Sequence, residues 1–182
     1  MRRILPLLAL LASPAAAADS FDCVIDPSAT LKLGSPVAGL LAEVLVDRGD
    51  FVTAGQEVAR LESGIDAATV ELDALQAEST EELNAAQTKL DLAQSRLART
   101  KALAEKGVTT NEQVEQQSAE VQVAERERDL EMQKRKLAAL ELDRSKAQLE
   151  RRTIRAPIAG YVAARGLGPG EFADQNAAIV TL

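Results

Sequence analysis

Side chains that could catalyse a reaction or hold a metal ion are scarce in this sequence. Its 182 residues include no histidine and a single cysteine, Cys23. Without histidine there is no imidazole to act as a general base near neutral pH. A single cysteine forms neither an internal disulfide nor a cysteine-built metal site. We therefore expect no enzyme active site and no metal site, and Cys23 is either a buried thiol or a link to another chain.

The first residues, MRRILPLLALLASPAAAADS, have the layout of a secretory signal peptide. Two arginines precede a short apolar run, and three alanines end at Ala18, where we expect cleavage. A membrane anchor is the alternative, but the run from Ile4 to Leu11 is far shorter than the ~20 residues that span a bilayer. The sequence before Cys23, Asp-Ser-Phe-Asp, does not favour lipid attachment.

The charge of the chain indicates which partners to exclude. The formal net charge is −7, and loss of Arg2 and Arg3 with the signal peptide makes it two units more negative. An acidic chain is repelled by phosphate backbones, so we expect no nucleic-acid partner.

A short unit of the sequence occurs twice. SPVAGLLAEVLVDRGDFV begins at Ser35, and a weaker copy, APIAGYVAARGLGPGEFA, begins at Ala156. Matching residues keep one constant offset: Pro36 and Pro157, Gly39 and Gly160, Gly49 and Gly170, Phe51 and Phe172, Leu61 and Leu182. The short apolar runs between these glycines and prolines predict several short strands with tight turns in each copy.

The segment between the copies predicts two long helices. No proline occurs from about residue 65 to 106 or from about 111 to 152, and Gly107 is the only glycine there. Each segment of about 42 residues would be roughly 60 Å long. Apolar residues seven apart predict a coiled-coil seam. In the first segment these are Leu83, Leu90, Leu97 and Ala104, with Ala86 and Ala93; in the second they are Val123, Leu130 and Leu137, then Leu142 and Leu149 after a change of phase.

The link between the helices is short enough to dictate their direction. Gly107 is a typical left-handed helix end, and Thr110 with Gln113 predicts a capping box at the start of the second helix. Because only residues 107–110 join the helices, the pair must be antiparallel.

An antiparallel hairpin returns the chain to within about 10 Å of its starting point. The two β copies, each too small to bury a core alone, can then form one small sandwich. We expect an α+β fold: a long antiparallel α-helical coiled-coil hairpin inserted between two halves of a small β-sandwich domain, which the resemblance given below implies is lipoyl-like. The expected parts are a signal peptide (1–18), an N-terminal extension (19–33), the first half (34–63), the hairpin (64–151) and the second half (152–182).

The sequence resembles the periplasmic adaptor subunits, or membrane-fusion proteins, of tripartite efflux pumps. Pro36 to Gly39, the run from Gly49 to Gln56, and Leu61-Glu62 follow the pattern of a biotinyl/lipoyl-type half-domain. Carrier domains hold their cofactor on a lysine in the following turn, whereas no lysine occurs here between Lys32 and Lys89. The resemblance therefore implies no cofactor, and the hairpin is inserted where the carrier lysine would lie.

The same resemblance implies a docking motif at the hairpin tip. Adaptors that dock onto an outer-membrane channel carry arginine, then leucine four residues later, then serine seven after that; this chain has Arg99, Leu103 and Thr110. Leu103 would be the apolar anchor, while Arg99 and Thr110 would set the register by hydrogen bonds. Each residue also has a structural alternative: a solvated flank, a seam residue and a helix cap respectively.

The implied function is that of a periplasmic adaptor that catalyses no reaction. Its partners would be an outer-membrane channel and an inner-membrane transporter, of the proton-driven RND type or the ABC type, with several copies forming a ring. Family members continue into a β-barrel and a membrane-proximal domain, so we expect that this sequence is a truncated adaptor. Two alternatives stay open: an exported structural coiled-coil protein, and a non-lipoylated relative of carrier domains.

Overall fold

The computed structural model describes residue 26 and residues 28–182. The chain divides into one unit of residues 1–30 and a second of residues 31–182. In the first unit, residues 26 and 28–30 form neither helix nor strand. The predicted signal peptide, Cys23 and part of the predicted extension lie outside the described residues.

The second unit contains two groups of short strands with three helices between them. The first group is β1 (Lys32–Leu33), β2 (Gly39–Val44), β3 (Phe51–Val52) and β4 (Glu57–Leu61). The helices are α1 (Gly64–Glu78), α2 (Glu81–Glu105) and α3 (Asn111–Glu150). The second group is β5 (Thr153–Arg155), β6 (Gly160–Tyr161), β7 (Ala164–Arg165), β8 (Phe172–Ala173) and β9 (Val180–Thr181).

Every sheet of the second unit combines strands from both groups. The sheet orders are β1-β9-β7, β5-β4-β2-β8 and β3-β6, and all pairs are antiparallel. The first group alone would therefore lack most of its hydrogen-bonding partners. This arrangement confirms the predicted α+β fold, with a helical hairpin inserted between two halves of one β domain.

The sequence repeat is also a structural repeat. Gly49 N–H donates to the carbonyl of Val162, and Gly170 N–H donates to the carbonyl of Leu41, each over 2.8 Å. Gly49 matches Gly170 in the repeat, and Leu41 matches Val162. The two bonds are therefore equivalent, as quasi-two-fold symmetry requires. Gly49 and Gly170 have φ of +97° and +83°, which a side chain would strain.

The core of the β domain is built from small and branched aliphatic residues. The largest fully buried side chains are Leu41, Val52, Val58, Leu61, Val162, Ile179 and Val180. Most of them occupy matching positions in the two copies. The aromatic rings instead lie outside the core: Phe51 and Tyr161 are exposed and pack edge to face, with centroids 5.1 Å apart.

The hairpin packs α3 against α1 near the β domain and against α2 towards the tip. Its most buried cluster comprises Leu90, Ala93, Val121 and Ala124, with Leu97 half-buried beside them. None of the described helices is both long and apolar enough to be a transmembrane segment.

The predicted seam of the second helix was wrong at Val123, Leu130 and Leu137, and it was confirmed at Leu142 and Leu149, which are half-buried. Val123, Leu130 and Leu137 are 58%, 51% and 60% exposed. The buried or half-buried side instead follows Val114, Val121, Leu142 and Leu149, in one uninterrupted seven-residue repeat. A shift of two residues turns a helical side chain by about 200°, so the predicted residues lie on the opposite side of α3. The expected change of phase within this helix is absent.

The prediction of one continuous helix over residues 65–106 was also wrong. Ser79 and Thr80 interrupt it, with Ser79 at φ −59°, ψ 128°. The Ser79 hydroxyl donates to a carboxylate oxygen of Glu81 over 2.7 Å, and Thr80 N–H donates to the same oxygen over 3.0 Å. Local hydrogen bonds from Ser and Thr favour helix ends in this way. Acidic Glu81 and Glu82 then occupy the first turn of α2, where the helix dipole stabilises negative charge.

Only some of the glycines that were predicted as turn residues lie in turns. Gly39 and Gly160 each begin a strand and do not have positive φ. At Gly39 the reason is a close approach, because a Cβ atom there would lie 3.0 Å from Nη1 of Arg152. Pro36 and Pro157, which were predicted as turn residues, each lie in a bend three residues before these strands.

Candidate docking site

The hairpin reverses direction through a compact hydrogen-bonded turn. Gly107 N–H donates to the carbonyl of Ala104, and Val108 N–H donates to the carbonyl of Leu103, both over 2.9 Å. Gly107 has φ of +72°, the left-handed conformation. This pair of bonds is the Schellman motif. It fixes the direction in which the chain leaves α2.

The start of α3 is held by threonine side chains. Thr110 is extended, at φ −90° and ψ 157°, and its hydroxyl oxygen accepts the N–H of Gln113 over 3.3 Å. The side-chain oxygen of Gln113 accepts a hydrogen bond from the hydroxyl of Thr109. Thr110 therefore caps the helix as predicted. Its own hydroxyl proton remains available to a partner.

The structure places the predicted tip residues Arg99, Leu103 and Thr110 at the solvent-exposed end of the hairpin. Arg99 and Leu103 are one helical turn apart and share a face of α2, while Thr110 lies beyond the turn, at the start of α3. Leu103 is 45% exposed, too exposed to be a buried residue of the hairpin seam. The side chains offer a guanidinium, an apolar group and a hydroxyl, which suit non-covalent contact.

Val108 was missed by the sequence reasoning. It is 70% exposed, and it follows the left-handed Gly107. In a Schellman motif the residue at this position commonly contacts the residue five before it, here Leu103. The prediction of Gly107 as a helix end could have identified Val108. Together, Leu103 and Val108 give the tip two exposed aliphatic side chains.

The other end of the hairpin is fastened to the β domain by arginines. Nε of Arg152 lies 2.8 Å from Oδ2 of Asp66, so the second residue after α3 is bound to the first turn of α1. Nη2 of Arg151 donates to the carbonyl of Pro36 over 3.0 Å, and Nη1 of Arg155 donates to that of Gly55 over 3.3 Å. These contacts, which the sequence reasoning also missed, fix the hairpin base. The signal was the Arg-Arg-x-x-Arg run at the end of α3.

The described residues offer little for other chemistry. Among residues 26 and 28–182, no cluster of three or more His, Cys, Asp or Glu side chains could hold a metal ion. An open cavity of about 550 Å³ lies at the hairpin base, lined in part by Leu61, Ser63, Gly64 and Arg152. No lysine lines it, although this is the turn where a carrier domain holds its modified lysine.

Comparisons with known proteins agree with this architecture. The family model for the CzcB-like barrel-sandwich hybrid domain matches residues 29–182. Among solved structures, MacA from Actinobacillus actinomycetemcomitans superposes with a TM-score of 0.76 at 23% identity, covering 83% of this chain and 48% of MacA. This chain thus spans about half of the length of MacA.

More distant structural matches include a putative efflux transporter from Bacteroides eggerthii (TM-score 0.42, 18% identity, 85% of this chain and 39% of that one). The periplasmic adaptor protein EmrA matches with a TM-score of 0.41 at 17% identity, over 86% of this chain and 72% of its own. A search of curated proteins by sequence gives no match. The likeness to MacA shows the fold, and the family match shows that this chain belongs to the CzcB-like barrel-sandwich hybrid domain family of membrane fusion proteins.

Proposed function

We propose that this protein is a periplasmic adaptor subunit of a tripartite efflux or secretion system. The hairpin tip would dock onto an outer-membrane channel, and the β domain would lie towards an inner-membrane transporter driven by protons or by ATP. The observation that carries this proposal is the tip itself. Arg99, Leu103, Val108 and Thr110 are solvent-exposed at one end of a hairpin whose other end is fixed to the β domain.

The chemistry of the tip suits a helical partner. Exposed aliphatic side chains at Leu103 and Val108 gain free energy when a groove removes them from water. Arg99 has five N–H donors for carbonyl or carboxylate groups on the partner, and Thr110 has one free hydroxyl proton. The protein would act by holding two membrane proteins together, without a catalysed reaction or a cofactor.

The outer faces of the hairpin support assembly of several copies. Val123, Leu130 and Leu137 form an exposed apolar stripe on the side of α3 away from the seam. Ile65, Leu72 and Leu92 are exposed apolar side chains on α1 and α2. Contact between these two different sets of residues in neighbouring copies would repeat head to tail, and such contacts can close into a ring.

Site-specific crosslinking in intact cells tests the docking proposal. Cysteines would replace Leu103 or Thr110 in a chain carrying Cys23→Ser, and the captured partner would be identified by mass spectrometry. Lys146→Cys, exposed near the hairpin base, is the matched control. We expect the tip positions, and not residue 146, to capture an outer-membrane channel. Capture of an unrelated protein from the tip would instead favour an exported structural coiled coil.

A further inference from the structure

The two sides of the hairpin differ in continuity. On one side α3 runs unbroken through 40 residues. On the other, Ser79 and Thr80 separate α1 from α2. Kinks usually have a proline or glycine as their cause, yet neither occurs between Gly64 and Gly107. The hydrogen bonds of Ser79 and Thr80 with Glu81 account for the helix end itself, but they do not explain why a break lies at this level of the hairpin.

The spacing of the buried side chains supplies that explanation. A regular series of half-buried or buried positions runs through 66, 70, 73, 77 and 80 at the base, and through 83, 86, 90, 93, 97, 100 and 104 beyond it; residues 74, 79 and 87 are half-buried outside this series. The spacing between successive positions alternates between three and four residues, except across the break. From 77 to 86 three spacings of three residues follow one another, so this stretch is one residue shorter than the regular alternation requires. One residue turns a helix by about 100°. A continuous helix would have to overwind locally to keep both segments facing α3, whereas the break lets both segments face α3 without that distortion.

The seam opposite the break is polar and loosely packed. In the repeat of α3 that buries Val121 and Ala124, the next positions are Arg128, Glu131 and Arg135. Nε of Arg128 is buried and has no hydrogen-bond partner. Oδ1 of Asp129 lies 2.9 Å away, but the geometry does not make a hydrogen bond. Ser79, Glu82, Glu131 and Arg135 line an open surface cavity of about 240 Å³. Few apolar contacts therefore resist movement at this level, in contrast to the Leu90–Val121 cluster nearer the tip.

We propose that the hairpin bends at Ser79–Thr80, with α3 as the continuous element that flexes. One body is α2 with the N-terminal part of α3, held by the aliphatic cluster. The other is α1 with the C-terminal part of α3, held to the β domain by Arg152. This hinge lets the tip change its direction while the hairpin base stays fixed. It is a conformational property of the chain and holds whatever the tip binds.

Distances between spin labels test the hinge in the full chain carrying Cys23→Ser. Labels on Ala67→Cys and Gln94→Cys, both exposed, span the break, while labels on Thr88→Cys and Glu105→Cys lie within α2 as a reference. We expect the first pair to give a distinctly wider distance distribution than the second. Equal widths would overturn the proposal.

A designed variant shows where the motion originates. Replacing Ser79 and Thr80 by alanine, with one alanine inserted between them, restores an unbroken alternation of three and four. The matched control carries the two substitutions without the insertion. We expect the insertion to narrow the distribution to the reference width and the control to stay wide. A distribution that stays wide in the insertion variant would overturn the assignment to this break.

Hydrogen exchange of the unaltered protein gives an independent measurement if the insertion variant fails to fold. Amides of residues 128–135 on α3 should exchange roughly tenfold or more faster than those of residues 117–124, because fewer apolar contacts oppose local opening. Equal protection of the two segments would count against the hinge.

Discussion

Arg152 and Asp66 lie 86 residues apart in sequence, and their side chains meet over 2.8 Å, at the point where the chain leaves and rejoins the β domain. Both are only about a quarter exposed, at 27% and 23%. The pair therefore closes the hairpin at its base, and Arg152 also donates to the carbonyl of Ala38 over 3.4 Å. This cation, just after α3, therefore joins α1 to the segment that precedes β2.

Asp66→Asn should lower the free energy of unfolding by about 1–2 kcal/mol, since it leaves a partly buried guanidinium with a weaker acceptor. Chemical denaturation would measure the loss. The matched control is Lys89→Gln, which removes an ion pair with Glu127 between largely exposed groups 3.5 Å apart. We expect the control to cost roughly 0.5 kcal/mol or less. Equal losses in the two variants would contradict a special role for the base pair.

Gly107→Ala should destabilise the protein by about 1–2 kcal/mol, because the left-handed conformation crowds a Cβ atom against its own backbone. No neighbouring group lies within 4 Å of the added atom, so backbone strain alone sets the cost. Gly64→Ala is the control: its Cβ atom also meets open space, but in the first turn of α1 without positive φ. That change should be neutral or slightly stabilising. Thermal unfolding of both variants tests the difference in sign.

Leu90→Ala should cost about 2–4 kcal/mol, as expected when a buried leucine leaves a cavity. Leu90 is 3% exposed, whereas Leu130 is 51% exposed. Leu130→Ala should therefore change the free energy of unfolding by no more than about 0.5 kcal/mol. Denaturation at low protein concentration, where copies do not associate, compares the two. A larger loss at residue 130 would restore the seam first predicted from the sequence.

Arg99→Asp should reduce crosslinking of a cysteine at position 103 to the channel by tenfold or more, because it places a carboxylate where donors are needed. An exposed residue contributes little to folding, so the melting temperature should stay within about 2 °C. Arg126→Asp makes the same change in charge on the exposed surface of α3, away from the tip. It should leave crosslinking intact. Loss in both variants would indicate long-range steering by charge instead of contact at the tip.

Glu81 should titrate below its ordinary pKa of 4.5, because the Ser79 hydroxyl and then the backbone N–H groups of Glu81 and Thr80 donate to its carboxylate. A lowered pKa means that this group stabilises the fold at neutral pH, and that its contribution is lost as the pH falls through the lowered value. Carboxyl NMR titration measures the pKa directly. Ser79→Ala removes the largest cause and should raise the pKa towards 4.5. An unchanged pKa in this variant would disprove the assignment.

The architecture could be predicted because several independent signals agreed. The repeated unit, the absence of proline between the copies, and the short link at Gly107 together allow one arrangement. Gly107 and Thr110 make the turn and the cap that their residue types predict. A turn or a helix cap depends on a few neighbouring residues, so it can be predicted from the local sequence alone.

Which face of α3 is buried in the hairpin could not be predicted in the same way. Two sets of aliphatic residues in α3 repeat every seven positions, one through Val121 and Leu142 and one through Val123 and Leu137. The true seam carries Arg128 and Arg135 at its centre, which hid it, while the exposed stripe is the more apolar of the two. Which set is buried depends on the partner helix. The break at Ser79 was missed for a similar reason, although Ser-Thr-Glu-Glu is a typical helix start.

The docking roles of Arg99, Leu103 and Thr110 stay predictions, because a recognition site is completed by its partner. The structure settles a narrower matter, which is that these side chains are exposed instead of packed in the hairpin.

The presence of strands from both copies in every sheet also bears on the order in which this protein folds. β2 has only β4 as a partner until β8 has formed, and β3 has none until β6 has formed. Bringing the copies together across a random coil would cost the entropy of closing a long loop. Helices form from local contacts and therefore quickly. If the hairpin forms first, it brings the two β copies close together before their strands pair. The helices would then guide folding of the β domain before they bind any partner.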